Sequence, residues 1–172
     1  MDENARFGET LYRLPSCMLK ALMPADAGPL AETLVTLDPW RTLGYGASQM
    51  AGYLVRPDPC LYRFALRRDN QDAGVVCIRR PFLMGVYLDL LAVFPPFQRS
   101  GLGSEILAWL ERETFEICDN LWILVSSFNE PARAFYSSAG MVETATLKDL
   151  VKPGYDEILL RKCRGDSQIT HS

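Results

Sequence analysis

The spacing of apolar positions predicts a sheet with a hairpin and two fully buried strands. LYRFALRR and GVVCIRR flank the turn-rich stretch DNQDA, which predicts an antiparallel hairpin. GVYLDLLAV and LWILVSS are apolar on both alternating faces, as is typical of central strands covered on both sides. In GVYLDLLAV, strict alternation places the lone carboxylate, Asp89, on the same face as Leu91 and Val93.

Helical periodicity and capping residues predict the remaining elements. Asp26 caps a helix over AGPLAETLVTL, and a short helical pair precedes Arg56, with DPWRTLGYG as the bend between its members. A long amphipathic helix runs from about Gly101 to Ile117. Asn129 caps a last helix, which ends at Gly140. CMLKALM, MVETATL and DEILLRKC add strands, the last two around the loop KDLVKPGY.

These elements predict one domain over residues 1–172. The class is mixed α/β (α+β), with a mostly antiparallel sheet of six to seven strands and helices on both faces. We expect residues 1–16 and 164–172 to be flexible ends, since both are polar and lack periodicity.

Composition narrows the environment and the partners. The net charge of −3 and the absence of a basic block argue against nucleic acid as a partner. The five cysteines stand singly, as reduced thiols of a cytoplasmic protein do. The start of the chain has no secretory pattern and no segment is long and apolar enough to span a bilayer, so no membrane association is expected.

Histidine is nearly absent from the chain. The single one, His171, lies next to the last residue. Catalytic triads built on histidine and histidine-rich zinc sites are therefore excluded, and we expect no metal. Any enzyme built from this sequence must move protons with other groups.

The stretch FPPFQRSGLGSEIL predicts an anion site. Pro95 and Pro96 stop a strand, and Gly101 and Gly103 begin a helix whose first N–H groups point outward. The glycines would let a phosphate approach the backbone; the alternative is clearance for packing the helix. Neither GxxxxGK nor GxGxxG is present, so an ATP-type phosphate loop and a dinucleotide turn are not supported.

Two motifs resemble those of one superfamily. LAVFPPFQRSGLGSEIL resembles the acetyl-CoA-binding signature Q/RxxGxG/A of the GNAT acetyltransferases, at Gln98, Gly101 and Gly103. NEPARAFYSSAGM resembles the second signature, NxxAxxFYxxxGF, with Met141 in place of the final Phe. The matches in the second motif are Asn129, Ala132, Phe135, Tyr136 and Gly140. The resemblance runs from about Tyr87 to Thr146 and implies the GNAT fold.

The resemblance implies acetyl-CoA as the acyl donor and assigns residues to it. The strand end would face the acetyl-bearing arm, the loop and helix start would hold the pyrophosphate, and the second motif would hold the pantetheine arm and the sulfur. In this sequence those residues are Leu91, Ala92, Val93, Gln98, Arg99, Ser100, Gly101, Leu102, Gly103, Ser104, Asn129 and Tyr136.

The reaction requires an acid and a base. The resemblance places Tyr136 near the sulfur, where a phenol could protonate the leaving thiolate; the alternative is a packing tyrosine. Asp89, a carboxylate in an apolar strand, is either the base for the incoming amine or a hydrogen-bonded structural residue. For acceptor contacts the resemblance points to two loops, which supply Trp40, Arg41, Tyr45, Tyr155 and Asp156.

The sequence therefore predicts an N-acetyltransferase that moves an acetyl group from acetyl-CoA to a primary amine of a small molecule or a protein. Two alternatives remain open: an acyltransferase with a longer acyl-CoA donor, and a non-catalytic CoA-binding sensor. A homodimer is compatible with the main prediction and with both alternatives.

Overall fold

The computed structural model describes residues 6–166, which form one eight-stranded sheet with helices on both faces. The strands are β1 Leu11–Arg13, β2 Met18–Ala21, β3 Leu61–Arg68, β4 Gln71–Phe82, β5 Gly85–Val93, β6 Asn120–Ser126, β7 Val142–Lys152 and β8 Tyr155–Cys163. The helices are α1 Ala27–Leu34, α2 Trp40–Leu43, α3 Ala47–Val55, α4 Leu102–Phe115 and α5 Glu130–Ser138. His171 lies outside the described residues.

The strand order across the sheet is β1-β2-β3-β4-β5-β6-β8-β7. Every neighbouring pair is antiparallel except β5 and β6, which are parallel and connected through α4. The mixed, mostly antiparallel sheet is confirmed, with eight strands in place of the six to seven predicted. None of the helices within residues 6–166 is long and apolar enough to cross a membrane.

Each face of the sheet has its own core. On one face, Ile106 and Leu110 of α4 and Tyr136 of α5 pack against Ile123 and Leu160 of the central strands. On the other face, α1 and α3 bury their apolar sides, including Leu30 and Leu54, against β3, β4 and β5. Because both faces are covered, the central strands are apolar on both sides, as predicted.

The described part of the N-terminal segment, from residue 6 onward, is part of the fold, whereas we expected a flexible end over 1–16. The Phe7 side chain is 1% exposed, and its ring lies 5.8 Å from that of Tyr62 and 5.9 Å from that of Trp109. β1 pairs with β2. A polar segment with two isolated aromatic residues, Phe7 and Tyr12, carries no periodic signal, so the sequence could not show this docking.

Three local predictions differ from the structure. WRTL forms the short helix α2, so the bend is confined to the residues after it, where Gly44 has a φ of +82°. KDLVK belongs to β7 and not to a loop, and the turn is reduced to residues 153–154. The Asp26 carboxylate accepts from the N–H of Met23, so it closes the preceding turn and makes no cap bond to α1.

Strict alternation in β5 is also wrong, because the strand contains a β-bulge. Leu88 lies opposite Ile78, but Leu90 lies opposite Cys77, so Asp89 is an extra residue without a partner in β4. Beyond the bulge the faces exchange. Leu91 packs with the core under α4, together with Leu88, whereas Leu90 packs with the core under α3.

We predict that Phe7→Ala lowers the free energy of unfolding by about 3–5 kcal/mol, because it leaves a cavity between aromatic rings. Leu11→Ala, at a side chain that is already exposed in β1, should cost about 1 kcal/mol or less. Urea unfolding followed by circular dichroism measures both changes. Equal small losses in the two variants would mean that the segment does not contribute to the core.

Candidate active site

The strands β5 and β6 separate in the middle of the sheet. Their parallel pairing covers Val86–Leu88 of β5 and Leu121–Ile123 of β6 and then stops. Beyond that point β5 remains paired with β4 and β6 with β8, so the two inner edges turn toward a gap. Main-chain polar groups at such edges need partners, which a ligand in the gap can supply.

The loop after β5 has the conformation of an anion site. Pro95 and Pro96 begin a 3₁₀ turn that ends the strand, as predicted. Arg99 and Gly101 both have a positive φ, +58° and +85°, and α4 begins directly afterwards. Alternating left-handed residues turn successive N–H groups to one side, and the helix dipole adds positive potential. The loop is therefore suited to a phosphate group.

Gly103 lies against a neighbouring helix. A Cβ atom at this position would lie 3.3 Å from the Phe135 ring of α5, so the glycine allows α4 and α5 to pack closely. A Cβ on Gly101 would enter open space, and its glycine is needed for the left-handed conformation. Packing clearance, the alternative considered for these glycines, holds at Gly103, where the contact is with a helix.

The remaining predicted loop residues divide into three groups. Arg99, Ser100 and Gly101 are exposed at the helix start. The Leu102 side chain is buried in the core, so only its backbone could face a ligand. Ser104 borders a separate groove between α4 and α5.

A cleft of about 360 Å³ occupies the gap between the strands. It brings together many of the predicted donor-binding residues: Leu91, Ala92, Val93, Gln98, Asn129 and Tyr136. The Gln98 side chain donates to the carbonyl of Val93 at 2.8 Å. The Asn129 Oδ1 caps α5 by accepting from the N–H of Ala132, so its NH₂ group is left for a ligand.

Tyr136 enters the cleft from α5, on the α4–α5 face of the sheet. Its side chain is 8% exposed and packs against the ring of Phe135. Among residues 6–166 no side chain pairs with its hydroxyl group. Burial raises the pKa of Tyr136 above the ordinary value, so the phenol stays protonated and can donate throughout the physiological range.

Asp89 lies at the bulge, on the opposite face of the sheet. One carboxylate oxygen is 3.4 Å from the Arg79 guanidinium, which also binds Asp58 at 2.9 Å. Burial raises the pKa of Asp89 and the charge of Arg79 opposes that shift. The Asp89 carboxylate thus forms an ion pair with the neighbouring strand β4, as a structural role would require, and it also lines the cleft.

Glu157 of β8 is a second carboxylate in the same cleft, and the sequence analysis did not identify it. It is 5% exposed, and the Ser126 hydroxyl donates to it at 2.7 Å. Burial raises its pKa and the bond from Ser126 opposes the shift. The sequence does contain a signal for this residue, because in DEILLRKC a glutamate directly precedes the apolar residues of a predicted strand.

A second cleft, of about 550 Å³, adjoins the first on the α1–α3 face. Trp40, Asp89 and Leu90 line both clefts, and Tyr45 and Tyr53 line the second. Trp40 and Tyr45, which we predicted to contact the acceptor, therefore lie together at the second cleft. Arg41, which was grouped with them, pairs with Asp38 of its own turn.

The structure places Tyr155 and Asp156 in the β7–β8 hairpin. The Tyr155 ring packs against Phe128 at 5.3 Å, and the Asp156 carboxylate accepts from the N–H of Asp149. Neither residue lines either cleft.

The cleft and the loop fit the coenzyme A ester implied by the sequence motifs. The separated strand edges, the phosphate-suited helix start and the free amide of Asn129 follow one another on one side of the sheet opening. Within residues 6–166, no group of three His, Cys, Asp or Glu side chains is arranged to hold a metal ion.

Solved structures share this architecture at low sequence identity. An acetyltransferase from Thermus thermophilus superposes with a TM-score of 0.68 at 21% identity, covering 88% of this chain and 99% of its own. The ribosomal-protein-S18-alanine N-acetyltransferase from Escherichia coli superposes with a TM-score of 0.66 at 19% identity, covering 84% of this chain and 92% of its own. RimJ from Mycobacterium smegmatis, in complex with CoA-disulfide, superposes with a TM-score of 0.72 at 16% identity, covering 97% of this chain and 92% of its own. These likenesses establish the fold.

Comparison of the sequence with curated proteins finds no match. The model of the acetyltransferase (GNAT) family, however, matches residues 29–141, which is more than half of the chain. The match includes the loop at the start of α4, the bulge in β5 and the whole of α5. The chain belongs to the acetyltransferase (GNAT) family.

Proposed function

We propose that the protein is an N-acetyltransferase that moves an acetyl group from acetyl-CoA to a primary amine of a small molecule or a protein. The observation that carries this proposal is the gap between β5 and β6, which is lined by a buried phenol from one face and by carboxylates from the other. Acid and base chemistry are thereby available at one opening without histidine.

The donor side of the site is formed by the α4–α5 face. The N–H groups around Arg99 and Gly101 would hold the pyrophosphate, and Asn129 and the open edge of β5 would hold the pantetheine arm. Acetyl-CoA supplies a thioester whose carbonyl carbon bonds to the amine nitrogen as its C–S bond breaks. Tyr136 donates its proton to the departing sulfur, giving the free thiol of coenzyme A, and the proton that the nitrogen loses once the C–N bond has formed returns to Tyr136 through solvent.

The acceptor side is formed by the α1–α3 face. The second cleft leads to Asp89 and Trp40, where it meets the first cleft. An amine that enters there is attracted as a cation by the carboxylate of Asp89 and by the ring of Trp40. Before it attacks, the ammonium group must lose a proton to a base, and the products are then an N-acetyl amide and a thiol.

The direct test is acceptor-dependent release of the CoA thiol. The panel comprises spermidine, free amino acids and a peptide with an N-terminal alanine, which is included because the Escherichia coli neighbour acts on an alanine of ribosomal protein S18. Acetylation of one amine class, identified by mass spectrometry, is the expected result. Faster transfer from a longer acyl-CoA would identify an acyltransferase, and acetyl-CoA binding without transfer to any amine would identify a sensor.

Tyr136→Phe should lower kcat by about 100-fold or more, because general acid catalysis contributes at least that much. The affinity for coenzyme A, measured by calorimetry, should stay within a factor of about three, since the ring remains in place. Because burial raises the pKa of Tyr136, the wild-type rate should show no loss from this phenol below about pH 10. Full turnover by the variant would rule out the role of acid.

Asp89→Asn should raise KM for the amine by about 10-fold or more, since the junction of the two clefts loses its negative charge. Asp58→Asn is the matched control, because Asp58 binds the same Arg79 but lines neither cleft. Steady-state kinetics from pH 5 to 10 compare them. If both variants raise the KM for the amine equally, Asp89 affects KM only through its ion pair with Arg79 and not by attracting the amine directly.

A further inference from the structure

Glu157 differs from Asp38 and Asp89, the other carboxylates of the first cleft, in having no counter-charge. Among residues 6–166, no Lys or Arg side chain forms an ion pair with it, and its one hydrogen-bond donor is the neutral hydroxyl of Ser126. Asp89, by contrast, shares Arg79 with Asp58. A buried carboxylate without a cation is costly, so a site that keeps one favours a cationic ligand or a proton.

Glu157 lines the first cleft, together with Asp89, which lines both clefts. Ser126 and Glu157 are directly opposite each other on β6 and β8, at the end of β6 that has separated from β5. Their neighbours Val125 and Ile158 face the α4–α5 core, so Ser126 and Glu157 face the α1–α3 side, where the acceptor cleft lies. Glu157 and Tyr136 thus line the same cleft from opposite faces of the sheet.

Two phenols lie within electrostatic range of both Glu157 and Asp89. Burial raises the pKa of Tyr45, and the charges of Glu157 and Asp89 raise it further. Burial also raises the pKa of Tyr87, and the charge of Asp89 adds more to that shift than the charge of Glu157. With the cleft residues Asp38, Asp89 and Tyr136, these titratable groups are phenols and carboxylates, and none of them supplies positive charge.

We propose that Glu157 is the catalytic base: it binds the ammonium group of the acceptor and takes its proton before the nitrogen attacks. This rests on the proposed function. The proton passes from nitrogen to a Glu157 oxygen, and the nitrogen lone pair becomes free to form the new C–N bond. Protonation of Glu157 removes an uncompensated buried charge, whereas protonation of Asp89 weakens an ion pair with Arg79. Asp89 then serves to attract the amine.

The central test compares Glu157→Gln with Glu143→Gln. Glutamine keeps the acceptor oxygen for Ser126, and Glu143 is an exposed residue of β7 that lines neither cleft. With the fastest amine of the panel, Glu157→Gln should lower kcat by about 100-fold or more and abolish the loss of rate at acidic pH. Glu143→Gln should match the wild type. An unchanged acidic limb in Glu157→Gln would overturn the proposal.

Ser126→Ala gives an independent test that keeps the carboxylate. The bond from Ser126 lowers the pKa of Glu157, so its loss should raise that pKa and move the acidic limb of kcat/KM to higher pH. A Glu157 with a purely structural role would leave the limb where it is. This variant decides the question even if Glu157→Gln fails to fold.

A readout without turnover completes the design. In protein labelled with ¹³C at the glutamate carboxyl, the NMR signal that is absent from Glu157→Gln belongs to Glu157. The pKa from its titration should lie above the usual range of glutamate, and it should fall when the amine is added with coenzyme A. A normal pKa that the amine does not change would contradict the proposal. A wild-type enzyme that acetylates no amine of the panel would overturn the proposed function, and this inference with it.

Discussion

The separation of β5 from β6 is the constraint on which the site depends. A parallel pair in the centre of a sheet normally continues to the strand ends, because unpaired main-chain groups in the interior cost free energy. Here the pairing stops at Leu88, and one residue later a bulge turns β5 away. The helices α4 and α5 cover the opening from one side, so the freed edges face a cleft instead of bulk solvent.

The bulge also assigns side chains to the two sides of the opening. Because Asp89 is an extra residue, Leu91 returns to the α4–α5 core while Asp89 and Leu90 face the acceptor cleft. Without it, Leu90 would face the α4–α5 core and Leu91 would share the face of Asp89. The inserted residue therefore places Asp89 and Leu91, which are two positions apart, on opposite faces of one sheet.

Much of this could be read from the sequence, and the failures have physical causes. The buried strands, the cap at Asn129 and the strand stop at Pro95 follow from local patterns. The separation of Asp89 from the face of Leu91 and Val93 could not be predicted, because a bulge is set by pairing with β4 and leaves no mark in the alternation. Phe7 and Glu157 were missed since their roles come from contacts with residues distant in the chain.

The placement of the charged groups suggests how the fold tolerates this site. Asp89 shares Arg79 on a neighbouring strand with Asp58, so its charge is compensated only in part within the protein. Glu157 has no such partner, and its ionised form must lower the stability of the fold as the pH rises through its raised pKa. Substituting an apolar residue would remove that cost, but it would also remove a first-cleft carboxylate that has no ion pair within residues 6–166. A cationic amine bound there would supply the missing charge, so the penalty in the free protein becomes affinity for the acceptor.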